Sequence, residues 1–348
     1  ECANDEEGEQ HERRALGPEH LGHRTDVVGA WLESLAIEEP LVLVEHFERG
    51  GDMQRALPYI VRASRDALAI GQMVGGAALA RRGLDAKAEG VLRGQLLTVV
   101  AVGASAQGRF EEAKAMALEA RDLLPRGGVD WFIAIAALMS SAFRSQDFSV
   151  MPALVHDVVS LPHDPDPIGP YGAALFMLAE ILDNVDQGEV ASMLIERAER
   201  VGERGVNPDP IFVAYVAVAR GAALYRRGQP IGEVYRLLDT AIAAVSHVPA
   251  GARPGQLLFV EGCLCIERGD LEGGRKLLES AESVLVQDGA LLYVGWCRIH
   301  LGWAAVFEGR FTEALALAEP LMDGGDCRHA KALVAMALLG LGRADEAD

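Results

Sequence analysis

The sequence has few basic side chains for its length and few aromatic ones. Its 348 residues carry 51 aspartates and glutamates against 32 lysines and arginines, a formal net charge of −19, and 6% of them are aromatic. Affinity for nucleic acid or for an anionic membrane surface depends on lysine and arginine, which replace counterions at the phosphates. We therefore expect neither nucleic acid nor a membrane as a partner of this chain.

Long apolar runs and paired cysteines are also missing. The longest apolar runs, Trp131–Met139 and Leu96–Val102, fall far short of the ~20 residues that a membrane-spanning helix needs. No basic-then-apolar signal segment opens the chain. The five cysteines are odd in number and form no C-x-x-C pair, which is typical of reduced, buried thiols. We expect a cytoplasmic protein.

Motifs that carry catalysis or bind cofactors are incomplete. The stretch Gly103–Phe110 has the glycine spacing of a phosphate loop, but Arg109 and Phe110 stand where that loop has lysine and serine or threonine. His20 and His23 lie three residues apart without the further ligands that a metal site requires. We expect no metal, no cofactor and no catalytic residue, and therefore no enzymatic activity in this chain.

A short turn recurs along the chain at a nearly constant interval. It consists of a glycine, a polar or small residue, and the start of a new apolar pattern, as in Gly269-Asp270-Leu271 and Gly309-Arg310-Phe311. Glycine closes a helix there because the residue past a helix end often adopts a left-handed conformation. Gln146 replaces glycine in one copy, and a poorer copy lies near Gln187. The steps between markers are 33 to 41 residues, with markers at 108, 146, 187, 228, 269, 309 and 342.

The segments between these turns have a helical period. After Gly228 the apolar residues recur at spacings of three and four, namely at Ile231, Val234, Leu237, Leu238, Ala241, Ile242 and Val245. Such spacing places an apolar stripe on one face of a helix, and strand-like alternation is absent. The sequence predicts an all-α chain in which each unit of about 40 residues holds two antiparallel helices.

One unit resembles the tetratricopeptide repeat. Leu301-Gly302 lies on the first helix, Gly309 follows at the turn, and Phe311 and Ala314 come after it, as in that motif. Gly262 and Gly221 likewise precede their turn glycines by seven residues, where crossing helices need small side chains. The period is about 40 rather than 34. The resemblance implies a right-handed α-solenoid of antiparallel helix pairs whose concave face is lined by the first helices.

A second resemblance involves the segment Leu43–Asp52, followed by Arg55–Leu57 and Ala63–Ser64. It is similar to a recurring segment of large bacterial regulators, in which an AAA/STAND-type ATPase module precedes a tetratricopeptide-like array. Such regulators are often fused to a serine/threonine kinase or a nucleotide cyclase. The resemblance implies a role in signal transduction, with the concave face binding a partner protein or the ATPase domain of the same polypeptide.

The resulting organisation has three parts. We expect residues 1–24 to form an acidic, disordered lead-in, and the second resemblance implies that residues 25–70 form a helical segment that joins an upstream ATPase-type module to the array. Residues 71–348 form the tetratricopeptide-like array, truncated in its last repeat. The chain begins with Glu1 rather than methionine and ends soon after a turn, so we expect it to be a fragment of a longer protein.

The candidate partner-binding residues follow from the first resemblance, which implies that the concave face is lined at positions fixed relative to the glycine of each first helix. Carried onto Gly221, Gly262 and Gly302, these positions include six candidate residues: Tyr215, Tyr225, Arg226, Phe259, Trp296 and Trp303. Aromatic and arginine side chains are the usual anchors of interfaces. The same aromatic stripe is also expected if these residues simply pack between the repeats.

Two functions remain open at this stage. The first is a protein–protein interaction or regulatory sensor module of a multidomain bacterial signalling protein. The alternative is a segment of a kinase or ATPase that binds a small molecule or nucleotide, or takes part in catalysis. A structural spacer without ligand or partner is a third possibility.

Overall fold

The computed structural model describes residues 39–184, 186–246, 255–322 and 327–346, together with Trp31 and Glu33. In these ranges the chain is helical and contains no strand. No helix there is long and apolar enough to cross a membrane. The helices are α1 Pro40–Arg49, α2 Met53–Ala69, α3 Met73–Asp85, α4 Gly90–Ala106, α5 Phe110–Leu123, α6 Val129–Arg144, α7 Met151–Val159, α8 Gly169–Asn184, α9 Gly188–Arg204, α10 Pro210–Arg226, α11 Ile231–Ser246, α12 Gly255–Arg268, α13 Leu271–Asp288, α14 Leu291–Phe307, α15 Phe311–Ala318 and α16 Cys327–Gly340.

The helices are arranged as a stack of pairs. The pairs are α2–α3, α4–α5, α6–α7, α8–α9, α10–α11, α12–α13 and α14–α15, and α16 packs on α15. Successive first helices also pack on one another: α2 on α4, α4 on α6, α6 on α8, and α8 on α10. In the later part of the array, α12 packs on α14 and α14 packs on α16. Buried apolar side chains fill the spaces within and between the pairs. The predicted all-α fold and its α-solenoid architecture are confirmed.

The turns within the pairs have the predicted left-handed residue. Gln146 has a φ of 56°, so it takes the place of glycine, and in the poorer copy the left-handed residue is Asp186, one position before the predicted marker. A further turn at Gly71, with a φ of 86°, is absent from the predicted markers. It joins α2 to α3 and lies next to the predicted boundary at residue 70. The lead-in, residues 1–24, lies outside the described residues.

Small residues allow the close helix crossings that the sequence predicts. A Cβ atom on Gly262 would lie 2.8 Å from Cγ of Leu278, and one on Gly302 would lie 2.4 Å from Cδ2 of Leu333. At Gly221 the nearest atom would be 3.7 Å away, on Val234, which is ordinary contact. The same position of the repeat is therefore tightly packed in two pairs and looser in a third.

An early part of the stack contacts a late part of it. Helix α3 packs against α13, and α4 packs against α14. Met73, only 1% exposed, lies in one apolar cluster with Leu285 and Val294. The carboxylate of Asp288 accepts a hydrogen bond from the backbone N–H of Val74 at 3.2 Å. The array therefore closes on itself, and its first helices surround a common interior.

Two alanine substitutions at the same repeat position should have opposite effects. Gly262→Ala should lower the free energy of unfolding by about 1–2 kcal/mol, because overpacking against Leu278 outweighs the gain in helix propensity. Gly221→Ala should raise it by up to about 1 kcal/mol, because alanine favours the helix and the space is sufficient. Urea unfolding of both variants measures the difference. Equal shifts in the same direction would contradict the crossing distances.

Candidate binding site on the first helices

Aromatic and charged side chains from six first helices come together on the inner side of the array. Phe176 on α8 lies 5.8 Å from Tyr215 on α10, between ring centroids, and Phe259 on α12 lies 6.0 Å from Tyr293 on α14. His300 and His329 both contact Trp296. We refer to this group as the inner cluster, which consists of Arg144, Phe176, Glu180, Tyr215, Phe259, Tyr293, Trp296, His300 and His329.

The inner cluster spans the interior rather than following the stack. The guanidinium of Arg144 lies 5.1 Å from the ring centroid of Trp296, although α6 and α14 are four pairs apart. The ring of His329, on the neighbouring first helix α16, lies 4.9 Å from the ring of Trp296, so Trp296 contacts both a neighbouring helix and the distant α6. Contacts between first helices that are not neighbours in the stack require that these helices face one another. The closure of the array produces this arrangement.

Desolvation favours the neutral form of several groups in the inner cluster. It raises the pKa of Tyr215 and of Tyr293 above the ordinary tyrosine value. It also lowers the pKa of His300 to about 4, and the nearby His329 acts in the same direction. The surrounding helices therefore make the interior a poor environment for charge.

Glu180 shows that this interior is enclosed but still open to solvent. Its side chain is exposed, yet desolvation raises the pKa of its carboxyl above the ordinary value. The charges of Arg226, Arg144 and His329 oppose that rise without cancelling it. A carboxyl can be both exposed and desolvated in a channel, because water reaches it there while protein surrounds it on most sides.

The predicted site residues divide into two groups. Tyr215, Phe259 and Trp296 belong to the inner cluster. Arg226 lies beside the cluster, where it forms an ion pair with Asp183 on α8. The structure thus places three of the six predicted residues in the inner cluster and a fourth beside it. Their role in binding a partner stays a prediction.

The other two predicted residues lie away from the inner cluster. Tyr225 is 66% exposed at the end of α10. Trp303 contacts the ring of Phe307 at 6.3 Å between centroids, and it packs against the apolar cluster of α15 and α16. Trp303 therefore fits the alternative expectation, that aromatic side chains pack between repeats.

Two further members of the inner cluster, Phe176 and His329, share a repeat register with the predicted residues. Thirteen residues before the left-handed turn residue stand Tyr215, Trp296 and also His329. Ten residues before it stand Phe176 and Phe259. A search at fixed offsets from each turn, rather than from the helix glycines, would have found His329 and Phe176. No fixed offset from a turn residue predicts that Arg144 contacts Trp296.

The stretch with phosphate-loop spacing is part of a helix pair. Residues 103–106 end α4, and a Cβ on Gly103 would lie 2.4 Å from Cβ of Ala77. Gly108 is the turn, with a φ of 77°, and Arg109 pairs with Glu112. Within the described ranges, no three His, Cys, Asp or Glu side chains converge as metal ligands do. His20 and His23 lie outside those ranges.

Comparisons with known proteins find likenesses among solved structures. No family model matches the sequence, and no curated protein matches it. Among solved structures, the chain is similar to the apo form of the quorum sensor NprR from B. thuringiensis, with 12% identity and a TM-score of 0.47. The match covers 91% of this chain and 94% of that one. At this score and identity we draw neither fold nor function from it.

The lowered pKa of His300 predicts a pH dependence of stability. Between about pH 6.5 and pH 4 the unfolded chain binds a proton that the folded chain does not, so stability falls as the pH falls through this window. Above pH 6.5 the effect is absent. The loss attributable to His300 has an upper limit of about 3 kcal/mol.

Urea unfolding at pH 7 and pH 4.5 tests this expectation. His300→Gln should lose less stability than the unmodified chain between the two pH values. The matched control is His156→Gln, which changes an exposed histidine on α7 and should behave as the unmodified chain does. The same loss in all three proteins would contradict the desolvation of His300.

Proposed function

We propose that this chain is an interaction module that binds an extended segment of a protein partner along the inner cluster. The observation that supports the proposal is the convergence of aromatic and charged side chains from six successive first helices on one solvent-accessible interior. The binding is non-catalytic in this proposal, and the chain acts as a regulatory or sensor module. The partner segment belongs either to another protein or to the same polypeptide.

The chemistry of the inner cluster suits a peptide. Trp296, Phe259 and Tyr215 offer large apolar surfaces, and aromatic side chains of this kind dominate binding energy at interfaces. Their spacing by the repeat presents successive anchor points to an extended chain. Glu180 and Arg226 supply one acidic and one basic group, which can pair with charged side chains or with polar backbone groups of the partner.

The proposed setting is a multidomain bacterial signal-transduction protein. It rests on the resemblance of Leu43–Asp52 to the segment that follows AAA/STAND-type ATPase modules. In this chain Leu43, Val44 and Phe47 are buried between α1 and α2, and Asp52 caps α2. These residues therefore have packing roles that suit a junction between an upstream module and the array. An ATPase domain of the same polypeptide is the partner that this setting favours.

Peptide selection on the intact chain tests the proposal. A library of random twelve-residue peptides displayed on phage is enriched against the immobilised protein, and the affinity of synthetic copies is measured by fluorescence anisotropy. Trp296→Ala and Phe259→Ala should each weaken binding roughly thirtyfold, the loss typical of a hot-spot residue. Circular dichroism confirms that the variants keep their helices.

The matched control is Tyr235→Ala on α11, a second helix. Tyr235 is an aromatic residue that is 36% exposed and lies beside Arg268, outside the inner cluster. Its loss should leave peptide affinity unchanged. The proposal would be contradicted by failure to enrich any peptide, by equal losses in all three variants, or by saturable binding of ATP–Mg²⁺ in the interior.

A further inference from the structure

The N-terminus of α3 is capped by a residue of α13, which lies late in the array. Most of the chain's capping is local, as where Asp270 accepts a hydrogen bond from Gly273 N–H at 2.9 Å. Gln72, which precedes α3, makes no side-chain capping bond. Asp288 instead accepts from Val74 N–H at 3.2 Å and from Gly75 N–H at 3.5 Å, across 214 and 213 residues. The first turn of α3 therefore obtains its cap only when the array is closed.

Met73 depends on the same closure for its burial. It is the first residue of α3, and it is 1% exposed because Leu285 and neighbouring side chains of α13 and α14 cover it. Ala106 at the end of α4 joins the same cluster. Few residues from the early pairs take part, so the closing contact is small compared with the interfaces within the stack.

One contact of the inner cluster, that of Arg144 with Trp296, forms through the same closure. Arg144 belongs to the early part of the array and Trp296 to the late part, and they meet because α4 lies against α14. Separation of α3 from α13 would move these two side chains apart and widen the interior. The closing contact and the accessibility of the inner cluster are therefore coupled.

We propose that the contact of α3 with α13 and of α4 with α14, here named the latch, opens while the helix pairs stay folded, and that its opening admits the partner. The proposal builds on the proposed function, because it describes how the same site is regulated. The latch joins Asp288 to the N-terminus of α3 and buries Met73. A partner that fills the interior then binds faster when the latch is weakened.

Hydrogen exchange measured by mass spectrometry tests the latch without any ligand. Asp288→Ala should raise exchange in the first turn of α3 about fivefold, the effect of losing a typical N-terminal cap. The matched control is Glu279→Ala on α13, which removes a carboxylate of the same helix that pairs with Arg275 at 3.9 Å. Its exchange in α3 should not change.

Small-angle X-ray scattering separates opening from local fraying. The double variant Met73→Ala/Asp288→Ala should have a larger radius of gyration than the unmodified chain, with unchanged helical circular dichroism. Faster exchange confined to α3 with an unchanged radius of gyration would overturn the latch. Loss of helical signal throughout would also overturn it, because opening would then require unfolding.

Binding kinetics connect the latch to the partner. The association rate constant of the selected peptides should rise about fivefold in Asp288→Ala, in line with the larger open population. An unchanged rate would overturn the role in admission. If no peptide is selected, the proposed function fails, whereas exchange and scattering still decide whether the latch opens.

Discussion

The close crossing of helices at small residues is the constraint on which the rest of this structure depends. A Cβ on Gly103 would lie 2.4 Å from Cβ of Ala77 and 2.7 Å from the carbonyl oxygen of Met73. This crossing holds the first turn of α3 against α4, and Asp288 caps that same turn. The low aromatic content follows from the same constraint, because crossings of this kind need glycine and alanine.

Charged side chains connect one helix pair to the next. Arg275 on α13 pairs with Glu308 and Glu313 at the turn between α14 and α15, so ion pairs tie one helix pair to the next. The interior is different, because desolvation there raises the pKa of Glu180 and lowers that of His300. A partly desolvated interior lined by aromatic side chains suits a segment that brings aromatic or aliphatic side chains to Trp296 and Phe259.

The sequence predicts the local features of this fold well and its long-range contacts poorly. Helix pairs and their turns depend on residues a few positions apart, so even the left-handed Gln146 could be identified. The contact of Arg144 with Trp296, and that of Asp288 with Val74, depend on small rotations that accumulate over many repeats. A repeat period does not specify those rotations. For this reason the sequence does not decide whether an aromatic residue such as Trp303 lines the interior or packs against the next pair, as it does here.

The closure of the array is tested most directly by a distance measured between its two ends. Spin labels introduced as unnatural amino acids at the exposed positions Ile70 and Val286 leave the native cysteines in place, and pulsed electron paramagnetic resonance measures their separation. Because α3 packs directly on α13, and packed helices lie about 8–10 Å apart, a single narrow distribution at short distance is predicted. A broad distribution centred at long distance would show an open superhelix and contradict the closed structure.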